Sequence, residues 1–266
     1  MQLPVPALSP GDVSQTYHGE WNSHTPTATA HGTGIQQYHN GDTYHGTFED
    51  DHRNGYGVYT WSNGDVYEGE WRYGVCHGTG MKRMENGSVY DGEWRDGMAD
   101  GYGVKTFAFG LNTIADAGMG IGASVSAHMG YYKEDERCGL GLIVWTNGDE
   151  YEGDFNNGDP CGFGVYSYHW NPHAHAHPVI HRDVPDIETR SFYRGQWYKG
   201  QKHGPGYFKV YVQNACKIYF EMWYRGKCLC RQNMFTNEWR HHVPSIRLLE
   251  RKQECLMQLK KNNNIY

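Results

Sequence analysis

Five histidines crowd one short stretch of the chain: His169, His173, His175, His177 and His181. In an extended segment the alternation of His173, His175 and His177 sends three imidazoles to one side, which is metal-ligand chemistry. The tract carries Pro172 and Pro178 but no acidic or cysteine partner at short spacing, so a solvated loop is the favoured reading. Cys228-x-Cys230 with His241-His242 offers four zinc-type donors at a spacing that matches none of the common patterns. Gly118-Met119-Gly120-Ile121-Gly122-Ala123 has the glycines of a phosphate loop without the flanking strand, the helix or the Lys-Ser/Thr that phosphate chemistry requires. A nucleophile elbow, an HExxH helix and a kinase-type set are missing too. The chain therefore reads as non-enzymatic, with no catalytic residue and no cofactor expected.

The carboxylates point elsewhere, because they recur. Glu68, Glu70, Asp91, Glu93, Glu152 and Asp154 each flank the glycine of a Tyr-x-Gly-x-aromatic unit. A general acid–base pair needs two unlike environments at one place. The same acid in successive copies marks a scaffold position. The copies follow a 23-residue period: Tyr67, Gly69 and Trp71 lead to Gly74, Gly78, Gly80 and Asn86-Gly87, and Tyr90, Gly92 and Trp94 lead in the same steps to Gly97, Gly101 and Gly103. Tyr17, Tyr44, His128, Tyr151 and Tyr193 head further copies, and an eighth begins at Tyr219 with Glu221 in place of its early glycine. Fixed self-similarity of this length means a repeat array.

Each copy reads as a β-hairpin. Side chains two apart share a face, so Tyr67 and Trp71 point one way while Glu68 and Glu70 point the other. The intervening glycine leaves room for a ring from the neighbouring strand to lie over the backbone. Asn-Gly, as in Asn63-Gly64 and Asn147-Gly148, is expected to supply both left-handed residues of a type I′ turn. The expected fold is all-β: an elongated, solenoid-like meander of about sixteen strands, extending on the order of 75 Å at the usual strand spacing. The repeat core is expected at Tyr44, Tyr67, Trp71, Tyr90, Trp94, Tyr151, Phe155, Tyr193 and Trp197.

The unit YxGxWxxGxxxGxG followed by NGD resembles the MORN (membrane occupation and recognition nexus) repeat, and the resemblance covers about residues 17–231. It implies a module that binds partners and performs no catalysis. Repeat-only members are similar to components of cytoskeletal assemblies, notably ciliary and flagellar axonemes. Other members are associated with membranes.

The organisation expected is an arm at 1–16, the array at 17–231 with insertions near 104–127 and 169–190, and a linker with a helix at 232–266. Ile246, Leu249, Leu256 and Leu259 recur at helical spacing beside Arg247, Arg251, Lys252, Lys260 and Lys261. That basic amphipathic segment, over 244–261, either caps the open edge of the sheet or meets a partner. No signal peptide or transmembrane-length apolar run is visible, and the seven cysteines point to a reducing, cytoplasmic compartment. Cys138 and Cys161 are equivalent positions two strands apart, too far for a bridge.

The net charge of −6 hides two halves. Residues 1–189 hold 26 acidic and 9 basic side chains, and residues 190–266 hold 4 and 15. Such asymmetry is evidence about partners. Glu68, Glu70, Asp91, Glu93, Glu152 and Asp154 form either a solvated face that keeps the sheet soluble or a docking surface for a basic protein. The basic C-terminal third suits tubulin or another acidic protein. The function expected is a scaffold of a cytoskeletal, ciliary or flagellar assembly; the alternative is a peripheral module on anionic lipid, with its aromatic rows at headgroup level. Nucleic acid is discounted because the aromatics lie mostly in the acidic region.

Overall fold

A computed structural model describes residues 16–23, 28–108, 125–169, 190–212 and 215–234. Every regular element among them is a strand: β1 (Thr16–Asn22), β2 (Thr29–Gln37), β3 (Thr43–Glu49), β4 (His52–Thr60), β5 (Val66–Arg72), β6 (Val75–Arg83), β7 (Val89–Arg95) and β8 (Met98–Thr106), then β9 (Val125–Lys133), β10 (Glu136–Trp145), β11 (Glu150–Asn156), β12 (Asp159–Tyr168), β13 (Ser191–Tyr198), β14 (Gln201–Val212), β15 (Ala215–Tyr224) and β16 (Lys227–Met234). The sheet order is the chain order, β1 to β16, with no crossover. The chain divides into two compact units. One holds the described residues up to Ala108 with Tyr132–Asp135, and the other holds Val125–Tyr131 and the described residues from Glu136 onward. The helix expected over 244–261, His173, His175, His177 and most of both insertions lie outside the described residues.

The two turns of each repeat exchange the roles read from the sequence. Asn-Gly does not supply two left-handed residues; Gly41, Gly64, Gly87 and Gly148 take φ of 82–95° and their asparagines do not. Gly41 N donates to Tyr38 O and Tyr38 N to Asp42 O, which is a three-residue loop built on a tight turn with a left-handed glycine. The paired left-handed residues sit in the other turn, at Tyr73-Gly74, Asp96-Gly97, Asn157-Gly158, Lys199-Gly200 and Arg225-Gly226. Asn in the Asn-Gly-Asp turn instead receives the Asp N–H on its own side-chain oxygen, as Asn40 does from Asp42 and Asn147 from Asp149.

The Asp of that turn staples one repeat to the next. Asp42 accepts from Tyr59 Oη at 2.6 Å, from Ser62 N at 2.8 Å and from Asn40 Nδ2 at 2.8 Å. Asp149 repeats the set with Tyr166 Oη at 2.7 Å, His169 N at 2.7 Å and Asn147 Nδ2 at 2.9 Å. Burial alone would raise the Asp42 carboxyl, but the hydrogen bonds from Tyr59, Ser62 and Asn40 outweigh it and hold the group below its ordinary range.

Each repeat also contains a bulge. In β5–β6 the ladder runs Tyr67↔Lys82 and Gly69↔Gly80, then slips to Trp71↔Cys76, leaving Glu70 opposite His77, Gly78 and Thr79. The same slip follows Gly19, Gly46, Gly153 and Gly195. It frees a carbonyl, which the repeat tyrosine caps: Tyr67 Oη donates to Glu70 O at 2.9 Å, Tyr44 Oη to Thr47 O at 3.0 Å and Tyr90 Oη to Glu93 O at 3.1 Å. To reach it, the ring lies across the glycine two residues on in its own strand and the facing glycine of the next. A Cβ at Gly80 would stand 2.6 Å from Tyr67 Cζ. The covering ring thus belongs to the same strand, not to the neighbour as the spacing suggested.

Tyr17 does the same over Gly19 and Gly34, so β1–β2 is a full copy. The eighth hairpin, β15–β16, forms as well, with Cys230 and Gln232 exposed where other copies carry their glycines.

Candidate functional site

The repeat-core positions make one continuous aromatic file in each unit. Tyr44, Tyr67, Tyr90, Tyr151 and Tyr193 are at most 3% exposed, and Trp71, Trp94, Phe155 and Trp197 are buried with them. Each tyrosine is gripped edge-to-face by the aromatic of its own repeat and that of the next: Tyr67 stands 5.1 Å from Trp71 and 5.2 Å from Trp94, and Tyr151 stands 5.3 Å from Phe155 and 5.2 Å from Trp197. Such pairs contribute about 0.5–1.5 kcal/mol each beyond area burial. The tryptophans add a bond back to the preceding repeat, Trp71 Nε1 to Gly57 O and Trp94 Nε1 to Gly80 O. These rings stabilise the sheet and are not a row available at a lipid headgroup. His128, heading its copy in place of Tyr, is buried and meets Phe155 edge-on at 5.1 Å.

The six carboxylates share the opposite face but not one environment. Glu68, Glu70, Asp91 and Glu93 are exposed, while Glu152 and Asp154 are half-buried. Glu70 belongs to the bulge: its carboxylate accepts from Thr79 N at 2.9 Å and Thr79 Oγ1 at 2.7 Å. Those bonds, helped by His77, hold it below the usual carboxylate range. Glu93 stands against Gly101 and Asp154 against Gly162 in the same manner, and Thr47 and Gln196 take the place in other copies. Glu68 and Asp91 lie in the regular ladder instead, both paired with Met81 of the strand between them. Glu68 accepts a hydrogen bond from Tyr56 Oη on the neighbouring strand at 3.0 Å. The ladder row across β4 to β8 is then Val58, Glu68, Met81, Asp91 and Val104, an acid on every second strand with an apolar side chain between.

A second cluster was not anticipated as a site. The residue facing the third-position aromatic across the hairpin is Ala30, Cys76, Ala99, Pro160 or Cys228 in five copies, but Arg53 and Lys202 in two others. Arg53 threads the aromatic file, its Cζ 4.8 Å from the Tyr59 ring and 4.7 Å from that of Trp71. It donates to Tyr38 Oη at 3.0 Å and to Gly74 O at 2.5 Å. Lys202 Nζ lies 4.5 Å from the Tyr193 ring and 4.7 Å from that of Trp223, and donates to Tyr168 Oη at 2.8 Å. Cation–π contacts of this kind contribute about 0.5–2 kcal/mol each.

Nearby, Glu221 is fully buried at the position where other copies have glycine. Arg231, its cross-strand partner, contacts Oε1 through Nε and Nη2 at 2.7 Å each, and Trp223 Nε1 donates to Oε2 at 2.8 Å. Burial pushes the Lys202 amine down to about 8, although Glu221 acts in the other direction. Tyr166, Tyr168, Trp197, Lys202, Trp223 and Arg225 line a cavity of about 420 Å³ here. The sequence signal was the departure at Glu221, which marked the end of the pattern without naming a partner.

Among the described residues no group of three or more His, Cys, Asp or Glu side chains could hold a metal ion. Cys228 and Cys230 are exposed, and Cys138 and Cys161 are half-buried. His241 and His242 lie outside the described residues.

This geometry, a tyrosine over paired glycines with a bulge and an Asn-Gly-Asp staple, defines a class of β-hairpin repeat. The sequence model of the MORN repeat matches residues 44–66, 67–89, 90–108, 128–150, 151–171 and 193–209. The chain carries six MORN repeats, and the hairpins β1–β2 and β15–β16 extend the array beyond the matched segments. No curated protein matches the chain.

Proposed function

We propose that the protein is a non-catalytic interaction scaffold whose MORN sheet docks a basic partner on the face opposite its aromatic file. The observation that carries this reading is the ladder row Glu68–Met81–Asp91, with its two carboxylates on alternate strands and an apolar side chain between. Alternate strands stand roughly 9.6 Å apart. Two residues seven apart on a helix stand about 10.5 Å apart. A basic helix with Lys or Arg at heptad spacing and an apolar residue between therefore matches the row in spacing and in charge.

The setting we propose is a cytoskeletal assembly, with the ciliary or flagellar axoneme as the specific case. Support comes from the extent of the array and the resemblance to repeat-only MORN proteins. The opposite signs of the two halves support a part held between unlike neighbours, with tubulin or another acidic protein at the basic C-terminal third. Localising a tagged copy in its native cell, with and without Glu68→Lys and Asp91→Lys together, tests the reading. Wild type should stay with the detergent-resistant cytoskeleton, and the reversed variant should be released while remaining folded. Flotation of both proteins with anionic-lipid vesicles, unchanged by the reversal, would replace the scaffold by a membrane module.

A further inference from the structure

Arg53 and Lys202 occupy the same position of the repeat, and the comparison between them shows what the cavity in the second unit is. Each faces the third-position aromatic, and each donates to the tyrosine hydroxyl that precedes its repeat, Tyr38 for Arg53 and Tyr168 for Lys202. Each has its backbone carbonyl held by the turn glycine that follows: Gly74 N donates to Arg53 O and Gly226 N to Lys202 O, both at 2.9 Å. Arg53 then makes one contact more. Its second guanidinium nitrogen reaches the Gly74 carbonyl at 2.5 Å, and Arg137 does the same to Gly158 at 2.9 Å. The ammonium of Lys202 is shorter and has no fork with which to span both partners. The space beside Gly226 is the cavity, which Gly226 itself helps to line.

Its charge is as one-sided as its shape is open. The charged and titratable groups facing Lys202 Nζ are Tyr168 on β12, Tyr193 on β13, Glu221 on β15, Cys228 and Arg231 on β16, with Arg225 in the turn between β15 and β16. Glu221 gives one carboxylate oxygen to Arg231 and the other to Trp223, so its charge is committed. Lys202 and Arg225 remain as the cations on the cavity wall, beside the half-buried rings of Tyr168 and Trp223, while Tyr166 and Trp197 line it from within the aromatic file. One ammonium beside one tyrosine hydroxyl suits a carboxylate, whereas a phosphate dianion calls for a bidentate fork or several backbone donors.

We infer that this cavity is a binding site for a carboxylate borne on a flat apolar body, with Lys202 and Tyr168 receiving the anion and Trp223 receiving the body. The site is independent of the acidic row on the other face. A free aromatic acid and a peptide carboxylate share this chemistry. Binding keeps Lys202 protonated, so affinity is full below about pH 8 and falls as the pH rises through the value burial gives the free amine.

Titration of the full chain with phenylacetate, followed by tryptophan fluorescence and calorimetry, tests the site. Phenylacetate should bind, its neutral analogue phenethyl alcohol should bind at least about tenfold more weakly, and affinity should drop between about pH 7 and about pH 9.5. Lys202→Met should abolish binding. Lys202→Arg should abolish it too, since a guanidinium placed like that of Arg53 reaches Gly226 and fills the cavity while keeping the charge. Its melting temperature should be unchanged or higher, so a folding failure of the methionine variant leaves the test intact. An acetylated, amidated Phe-Glu-Phe peptide compared with its Phe-Gln-Phe twin separates the two sources: a preference for Glu assigns a protein ligand, and binding of phenylacetate without it assigns a small acid. No binding of either acid, equal binding of the alcohol, or full binding by Lys202→Arg would overturn the inference.

Discussion

Replacing Gly80 by alanine is the sharpest probe of how a tyrosine over paired glycines holds this sheet. The new Cβ would stand 2.6 Å from Tyr67 Cζ and 2.8 Å from Cε2, about 1 Å inside ordinary van der Waals contact. The ring cannot slide aside, because Trp71 and Trp94 grip it edge-on at 5.1 and 5.2 Å. It must leave, breaking two aromatic pairs at about 0.5–1.5 kcal/mol each and the hydroxyl bond to Glu70 O at about 0.5–1.5 kcal/mol. The expected loss is about 3 kcal/mol. Gly97→Ala is the control: nothing lies within 4 Å of its Cβ, so only the left-handed φ of +86° is penalised, at about 1–2 kcal/mol. With a urea slope of roughly 1–3 kcal/mol/M, Gly80→Ala should lower the unfolding midpoint by about 1–3 M. Urea melts followed by tryptophan fluorescence measure both variants. In a Tyr67→Ala background the same Gly80→Ala change should cost far less, because the ring it displaces has gone. If Gly80→Ala costs no more than Gly97→Ala, or if the two changes at 67 and 80 simply add, the ring-over-glycine account is wrong.

Asp42→Ala leaves a buried tyrosine hydroxyl and a backbone N–H without their acceptor, and should destabilise by about 2–4 kcal/mol in urea melts at neutral pH. Because the Asp42 and Glu70 carboxyls are held below their ordinary values, the stability they add is present above about pH 4 and is lost as the pH falls further. Acid titration of unfolding should therefore show a shallower loss in Asp42→Asn than in wild type. Glu70→Gln should lower the melting temperature measurably, whereas Glu68→Gln should leave it almost unchanged; equal effects would mean that the bulge contact of Glu70 is unimportant. Arg231→Met strands the buried Glu221 carboxylate and should cost about 3 kcal/mol, read as an earlier melt, with Arg231→Lys recovering part of it. Iodoacetamide at mildly alkaline pH should label exposed Cys230 well before Cys76, whose thiol burial pushes up to about 11.

What the sequence made legible was whatever a strict period imposes. A meander of hairpins, the alternation that sets Tyr67 and Trp71 against Glu68 and Glu70, and the copy headed by Tyr17 follow from spacing two within a period of 23. Finer geometry was misread where two local explanations compete for one motif. Asn-Gly satisfies a two-residue turn, but in Asn40-Gly41-Asp42 the acid reaches into the next repeat to hold Tyr59 and Ser62, and that tertiary bond selects the longer loop. Glu70 and Glu68 look alike as outward acids, yet the bulge takes Glu70 and leaves Glu68 in the ladder, a difference visible only once the register slips after Gly69. The cluster around Lys202 was hidden for the opposite reason. A period reports what copies share, and Arg53, Lys202 and Glu221 are what particular copies do not share. In an array built from near-identical hairpins, such departures mark where one copy is asked to do something its neighbours are not. Glu221 shows it most plainly, since a buried carboxylate where the fold requires only a hydrogen atom needs Arg231 and Trp223 to hold it, and their reach closes one wall around the amine of Lys202.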